Sequence, residues 1–432
     1  MKRDMQKKIF FLVCIFVAAL TLRVYAWGRM SPAEKVLKSD DYRYDQIAVG
    51  MLEGKGFAKD GQPIAWRGPG YPLFLAGIYL VFGHNPDAVR VVQCILGALL
   101  CIFLYYIGAH TFNKKTGCIA ALVAAVYLPF IKYLYWAGPC FLFSESVFTF
   151  LVTLTVLVIL RWHAHKNTVN LVLVGVVSAA TALTKPSFLV CMPLLFFWFL
   201  FEQKNIPKAA KDYMLVAAVF ILCIMPWTIR NYAVFHEFIP LSNESGDIFL
   251  EGNNPLARGS SVWVGQEMDS DQELLKKYSA TEIKNMKYKI ALRYLLEHPR
   301  RIPYLFTKKL LVTWNFFSER GTYNFSYGLV LLFAAAGLCM VTRQRSHWPG
   351  ALLLVLMFVW VSAVCMMFFG HPRYRYPIEP CLIVAGAYGI GMLFTRAISS
   401  LRYTVGMLII GVNVCLYMYG PSVLRFLQAL VP

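Results

Sequence analysis

MKRDMQKKIFFLVCIFVAALTLRVYAW, residues 1–27, sets a short basic segment directly ahead of a long apolar run. The apolar part continues through LRVYAW, and no small-x-small cleavage site follows it. That combination reads as an uncleaved signal anchor whose basic end stays on the inner side.

Further runs of the same kind follow. Candidate spans lie at 9–27, 88–111, 117–136, 141–160, 169–184, 187–201, 212–229, 325–341, 349–369, 377–395 and 403–420. A span needs about 20 apolar residues, and it must be helical because lipid offers no partner to an unpaired backbone amide. The composition agrees, with 58% hydrophobic and 15% charged residues in a chain of 432. The fold class expected is an all-α polytopic membrane protein of about 11 transmembrane helices, within a range of roughly 11 to 13.

The net charge of +19 lies mostly in the connections. With the N-terminus inside, the inner connections are FNKKTG, RWHAHKN, EQKNIPKAAKD, TRQRSHW and RAISSLR, each short and positive as the positive-inside rule asks. The basicity is thus topology and contact with anionic lipid, not nucleic-acid binding. Nearly all of the 11 cysteines fall inside apolar runs with no metal-site spacing, so they read as buried small apolar residues.

The chain divides into a signal-anchor span at 1–27, a first outer loop at 28–87, a transmembrane core at 88–229, a long outer loop at 230–324 and C-terminal helices at 325–432. Both outer loops are too long to be simple connections. Each carries an apolar stretch too short to cross comfortably: PYLFTKKLLVTWNFF (303–317), interrupted by Lys308 and Lys309, reads as an interfacial helix, and GYPLFLAGIYLVFG (70–83) as a helix that lies in the interface or re-enters the membrane.

This topology places Asp40, Asp41, Arg67, Glu145, Lys185, Arg230, Asn231, His371, Arg373 and Arg375 at or near the outer surface. Ionisable groups at the mouths of apolar helices are costly unless paired or solvated in a cavity. Each also has a plainer reading: Glu145 as a snorkelling carboxylate, Lys185 before Pro186 as an interfacial lysine, HPRYRYP (371–377) as an aromatic belt whose arginines meet lipid phosphates. In GDIFLEGNNP (246–255), Glu251, Asn253 and Asn254 are types suited to hydroxyl-rich ligands. No Walker A loop, HExxH, GxSxG elbow or strand-preceded dinucleotide fingerprint occurs, so ATP-driven, zinc-protease and serine-hydrolase chemistry has no support.

Carboxylates beside several cations suit a reaction in which a hydroxyl loses a proton while a phosphate leaves. A phosphodiester carries about one negative charge and the released monophosphate close to two, so cations gain attraction as the bond breaks.

The pieces SDDYRYDQIAVGMLEGKGF (39–57), WRGPGYPLFLAGIYLVFG (66–83), LFSESVFTFL (142–151), ALTKPSFL (182–189), PWTIRNYAVFHEFIPLS (226–242) with EGNNP (251–255), and HPRYRYP occur in order over most of the chain. In them the sequence resembles membrane glycosyltransferases of the GT-C class, especially bacterial proteins similar to protein O-mannosyltransferase and to the lipid A aminoarabinose transferase. The resemblance implies a GT-C-like bundle acting as an inverting, polyprenyl-phosphate-sugar-dependent hexosyl- or pentosyltransferase, with a cell-envelope glycan, lipid or protein as acceptor. It also implies the inner (plasma) membrane, a cytoplasmic N-terminus and an active site facing the periplasm or exterior.

In the family's Asp-x-x-x-Tyr pattern, Asp40 with Tyr44 takes the catalytic position and Asp41 is its acidic helper. Arg373, Arg375 and Lys185 are then expected on the lipid phosphate, Lys185 standing where many relatives have Arg. Glu145 and Arg67 are expected to line the sugar site, with Arg230 and Asn231 as further substrate contacts. A divalent metal is not demanded by any spacing, although Asp41 and Glu145 are candidates to hold one. Two other classes compete: a secondary transporter, for which no inverted repeat is visible, and a non-catalytic envelope-assembly scaffold that would not need Asp40.

Overall fold

The computed structural model describes residues 2–131, 140–265, 267–317, 323–342, 344–393 and 404–418. The connection RAISSLR lies outside these residues, as do residue 343 of TRQRSHW and the ends of the expected spans 117–136, 377–395 and 403–420.

The helices are α1 (Lys2–Gly28), α2 (Asp40–Leu52), α3 (Gly70–Phe82), α4 (Pro86–Thr111), α5 (Lys114–Val126), α6 (Ser144–His165), α7 (Thr168–Thr184), α8 (Cys191–Gln203), α9 (Ile206–Phe235), α10 (Ser245–Gly252), α11 (Ala280–Glu297), α12 (Arg301–Thr313), α13 (Phe325–Val341), α14 (Trp348–Met367), α15 (Glu379–Leu393) and α16 (Thr404–Met418). Seven helical segments among the described residues are long and apolar enough to cross a bilayer, and four shorter apolar helices accompany them. The chain is a multi-pass membrane protein. A small antiparallel hairpin pairs β1 (Ala58–Lys59) with β2 (Gln62–Pro63).

Local chemistry fixes the helix ends. Asn85, Asn113, Asn167, Asn205 and Asn324 each cap the helix that follows, the side-chain oxygen accepting a first-turn amide. In Lys166-Asn167 and Lys204-Asn205 the lysine turns left-handed, at φ 39° and 51°, to close one helix, and the asparagine opens the next. Tight connections follow from these two dipeptides.

One expected span is broken. Instead of one helix over 117–136, α5 stops at Val126, where Tyr127 is extended and Pro129 follows. Its 13 residues reach only about 20 Å, short of the ~30 Å hydrocarbon layer. The carbonyls freed at this end, Ala124 and Ala125, accept from Arg23 of α1 at 3.2 and 3.5 Å. Arg23 is fully buried, and a cation at a helix C-terminus also complements the helix dipole.

Close approach of backbones holds the bundle together. A Cβ on Gly337 would lie 2.3 Å from Ala385 O, and one on Gly389 2.2 Å from Phe333 O, so α13 and α15 pack at their small residues. Helices form at 70–82 and 301–313, where the two short apolar stretches were expected to be helical.

Candidate active site

Six side chains from six different segments form one chain of alternating charge. Glu244 accepts from Arg67 Nη1 with both oxygens, at 2.8 and 3.0 Å. Arg67 Nη2 donates to Asp40 Oδ1 at 2.8 Å. Arg373 Nη1 lies 3.5 Å from Asp40 Oδ2, while its Nε donates to Glu145 Oε1. Lys185 Nζ donates to the same Glu145 oxygen.

The local fold explains each position. Asp40 and Asp41 open α2, but Asp41 turns back on the helix end, where its Oδ1 accepts the amides of Lys38, Ser39 and Tyr42 at 3.1, 2.7 and 2.9 Å. A carboxylate is favoured there by the dipole, and Asp40 is left to face the loops. Tyr44 is one turn on from Asp40 and so on the same face. Its ring lies 5.6 Å from the Arg67 guanidinium.

Arg67 is aimed by its glycines. A Cβ on Gly68 would sit 2.3 Å from Leu183 O, and one on Gly70 2.7 Å from Thr184 N. The WRGPG turn therefore lies flat on the last turn of α7, which brings Arg67 close to Lys185, the residue that follows that helix. Asn243 N donates to Ala65 O at 3.0 Å, docking the segment that carries Glu244 on the same turn.

Exposure divides the cluster. The Asp40 side chain is 22% exposed and those of Arg67, Lys185 and Arg373 are each 19%, whereas Glu145 is 0%. Burial pushes the Asp40 carboxyl up, but Arg67 and Arg373 together outweigh it and hold Asp40 below its ordinary value. Burial raises the Tyr44 phenol, which stays protonated.

Four expected site residues are not brought to this cluster. Asp41, expected as an acidic helper, is held at its own helix end, where three backbone amides occupy its Oδ1. Arg230 donates to Phe57 O and Ile64 O, both at 2.8 Å, and Asn231 donates to Ile239 O at 2.9 Å, so this pair anchors the hairpin ahead of Trp66. Arg375 is 0% exposed, paired with Glu379 at 3.1 Å, donating to Thr313 O and Asn315 O and lying over the Tyr327 ring. Pro372–Ile378 is a 3-10 turn, in which residues two apart point about 240° apart, so Arg373 and Arg375 cannot share a target.

Other readings are corrected in the same way. Glu145 has no exposed surface for a sugar; it holds Lys185 and Arg373. Both arginines of HPRYRYP meet carboxylates inside the protein, which replaces the aromatic-belt reading. Asn253 and Asn254 are buried and donate to backbone carbonyls of Phe249, Met367, Leu250 and Glu251. Asp41 and Glu145 do not fit a divalent metal, since one serves backbone amides and the other is neutralised by two cations. No cluster of three or more His, Cys, Asp or Glu suited to a metal occurs among the described residues.

Glu244 was missed. It follows PWTIRNYAVFHEFIPLS by two residues in a long polar loop, where a single glutamate carries no signal. Only the docking of that loop on Ala65 reveals it.

Comparison with solved structures defines the class of fold. The chain is similar to the archaeal oligosaccharyltransferase AglB from Archaeoglobus fulgidus in complex with an inhibitory peptide and a dolichol-phosphate, with a TM-score of 0.57 and 14% identity over 97% of this chain and 55% of that one. It is also similar to ArnT from Cupriavidus metallidurans bound to undecaprenyl phosphate, with a TM-score of 0.55 and 12% identity over 98% of this chain and 72% of that one. The architecture is that of the GT-C class, as the resemblance implied. The chain spans about half the length of the archaeal enzymes it matches.

More particularly, residues 66–229 match the family model described as dolichyl-phosphate-mannose-protein mannosyltransferase. That segment holds Arg67, Glu145 and Lys185 of the cluster. No curated protein matches the chain.

Proposed function

We propose that the protein is an inverting glycosyltransferase that moves a sugar from a polyprenyl-phosphate carrier to an acceptor of the cell envelope, at the outer face of the inner membrane. The observation that carries this is a partly exposed carboxylate, Asp40, set beside a cation pair, Arg373 and Lys185, that a buried Glu145 holds together.

In this reading Asp40 takes the proton of the acceptor nucleophile, which attacks the anomeric carbon as the bond to the lipid phosphate breaks. Arg373 and Lys185 face the phosphate, and Arg67 orients the base beside the sugar. The phosphate gains about one unit of negative charge on leaving, so the two cations bind the departing group more strongly than the intact donor. Glu145 keeps them charged and in place when no phosphate is present. The acceptor, and whether the sugar is a hexose or a pentose, are set by loops around this constant chemistry.

Titration of the purified protein with undecaprenyl phosphate tests the cation site. Arg373→Gln and Lys185→Gln are each expected to weaken binding by roughly tenfold or more, as for a lost charge-assisted contact. Unchanged binding in both variants would remove the phosphate site from this position.

A further inference from the structure

Of the three arginines that meet Asp40, Arg43 only at 3.9 Å, Arg67 and Arg373 are held very differently. Arg67 is clamped by Glu244 with two short hydrogen bonds and by Asp40 with a third, all within 3.0 Å. Arg373 reaches Asp40 only at 3.5 Å, and its remaining carboxylate partner is Glu145, which it shares with Lys185. A guanidinium whose two terminal nitrogens both already meet carboxylates cannot offer its Nη1/Nη2 fork to a new anion.

We infer that Glu244 is a positioning residue that reserves Arg67 for Asp40, leaving Arg373 and Lys185 as the cations that answer to the lipid phosphate. The inference rests on the glycosyltransferase reading above. Each cation then has a single role. When a phosphate draws Arg373 away, Asp40 Oδ2 is freed to accept a proton, while Oδ1 stays fixed on Arg67. Without the Glu244 charge, Arg67 Nη1 is freed as a third cationic donor for the phosphate, and a bound phosphate then competes with Asp40 for the guanidinium.

The groups facing Glu244 are Arg67, Asp40, Asp247 and Lys284; those facing Asp40 are Arg67, Arg373, Glu145 and Arg43. Glu244 engages Arg67 through Nη1, and Asp40 engages it through Nη2. Replacing Glu244 by Gln keeps size and one acceptor oxygen while removing the charge.

The test pairs two readouts of opposite sign. Purified wild-type protein, Glu244→Gln and Glu244→Asp are titrated with undecaprenyl phosphate, and the same variants are scored for sugar transfer by the envelope glycans of cells that carry them. The Gln variant is expected to bind the phosphate about fivefold more tightly, from one fewer negative charge nearby, yet to transfer at least about tenfold more slowly. The Asp variant, which keeps the charge, is expected to bind like wild type.

A merely structural role would weaken binding and transfer together and lower the melting temperature, and that result, or unchanged binding in the Gln variant, overturns the inference. If Glu244→Gln does not fold, altered binding in the folded Asp variant overturns it instead. If wild-type protein binds no undecaprenyl phosphate, the glycosyltransferase reading itself fails and this inference falls with it.

Discussion

Asp40→Asn is expected to fold, to keep its polyprenyl-phosphate site and to lose transfer by about 100-fold or more, the scale of a lost general base. Because Arg67 and Arg373 depress Asp40, the acid limb of kcat/KM lies below the ordinary aspartate range. The same depression has a stability consequence: ionised Asp40 stabilises the fold above its unfolded pKa, and that contribution disappears as pH falls through the lowered folded value. Melting curves of wild type and Asp40→Asn should therefore differ at neutral pH and converge in acid. A second contrast separates the two arginines of HPRYRYP. Arg373→Gln is expected to weaken phosphate binding with little loss of stability, whereas Arg375→Gln strands the buried Glu379 and costs about 3 kcal/mol or more of stability, read by thermal unfolding. Five of the six charged residues that the structure brings together were legible in the sequence, because charges at the mouths of apolar helices are rare. The resemblance favoured Asp40 over Asp41, but its physical reason, that the helix end recruits the Asp41 carboxylate, was not readable, and Arg373 and Arg375 look alike until a 3-10 turn sends them apart.

At the scale of elements, the WRGPG turn positions the site, and the broken helix α5 is where the bundle departs from the expected spans. Gly68→Ala would drive a methyl group into Leu183 O, 2.3 Å from the ideal Cβ position, and lift Arg67 away from Lys185. The expected outcome is transfer activity lost together with a lower melting temperature; a fully active Gly68→Ala would show that the turn does not need this contact. Arg23→Leu removes the cation that satisfies Ala124 O and Ala125 O and is expected to cost about 2 kcal/mol, the upper end for a cation at a helix C-terminus. Both features show how far periodicity reaches. Apolar run length located most of the membrane helices, and the short runs at 70–83 and 303–317 form helices of 13 residues each. The interruption of 117–136 was hidden because Arg23, about one hundred residues upstream, is what makes a helix end tolerable inside an apolar run, and that is a tertiary event.

Across the whole molecule, the cluster draws on α2, the WRGPG turn, α6, the α7 to α8 junction, the Asn243 loop and the 3-10 turn before α15, so no segment carries the chemistry alone. The sequence pieces that resemble the GT-C class supply five of the six charged groups, and the fold supplies the sixth, Glu244, by docking the long loop on Ala65. The central claim is that this assembled cluster transfers a sugar from a lipid phosphate, with Asp40 as the base. Mass spectrometry of envelope glycans and lipid-linked sugars measures it directly in cells with the wild-type chain, with none, and with Asp40→Asn. The account predicts one glycan or lipid lacking a single sugar, and its polyprenyl-phosphate donor accumulating, in both the second and third cases. A profile restored to wild type by a folded Asp40→Asn chain would contradict it.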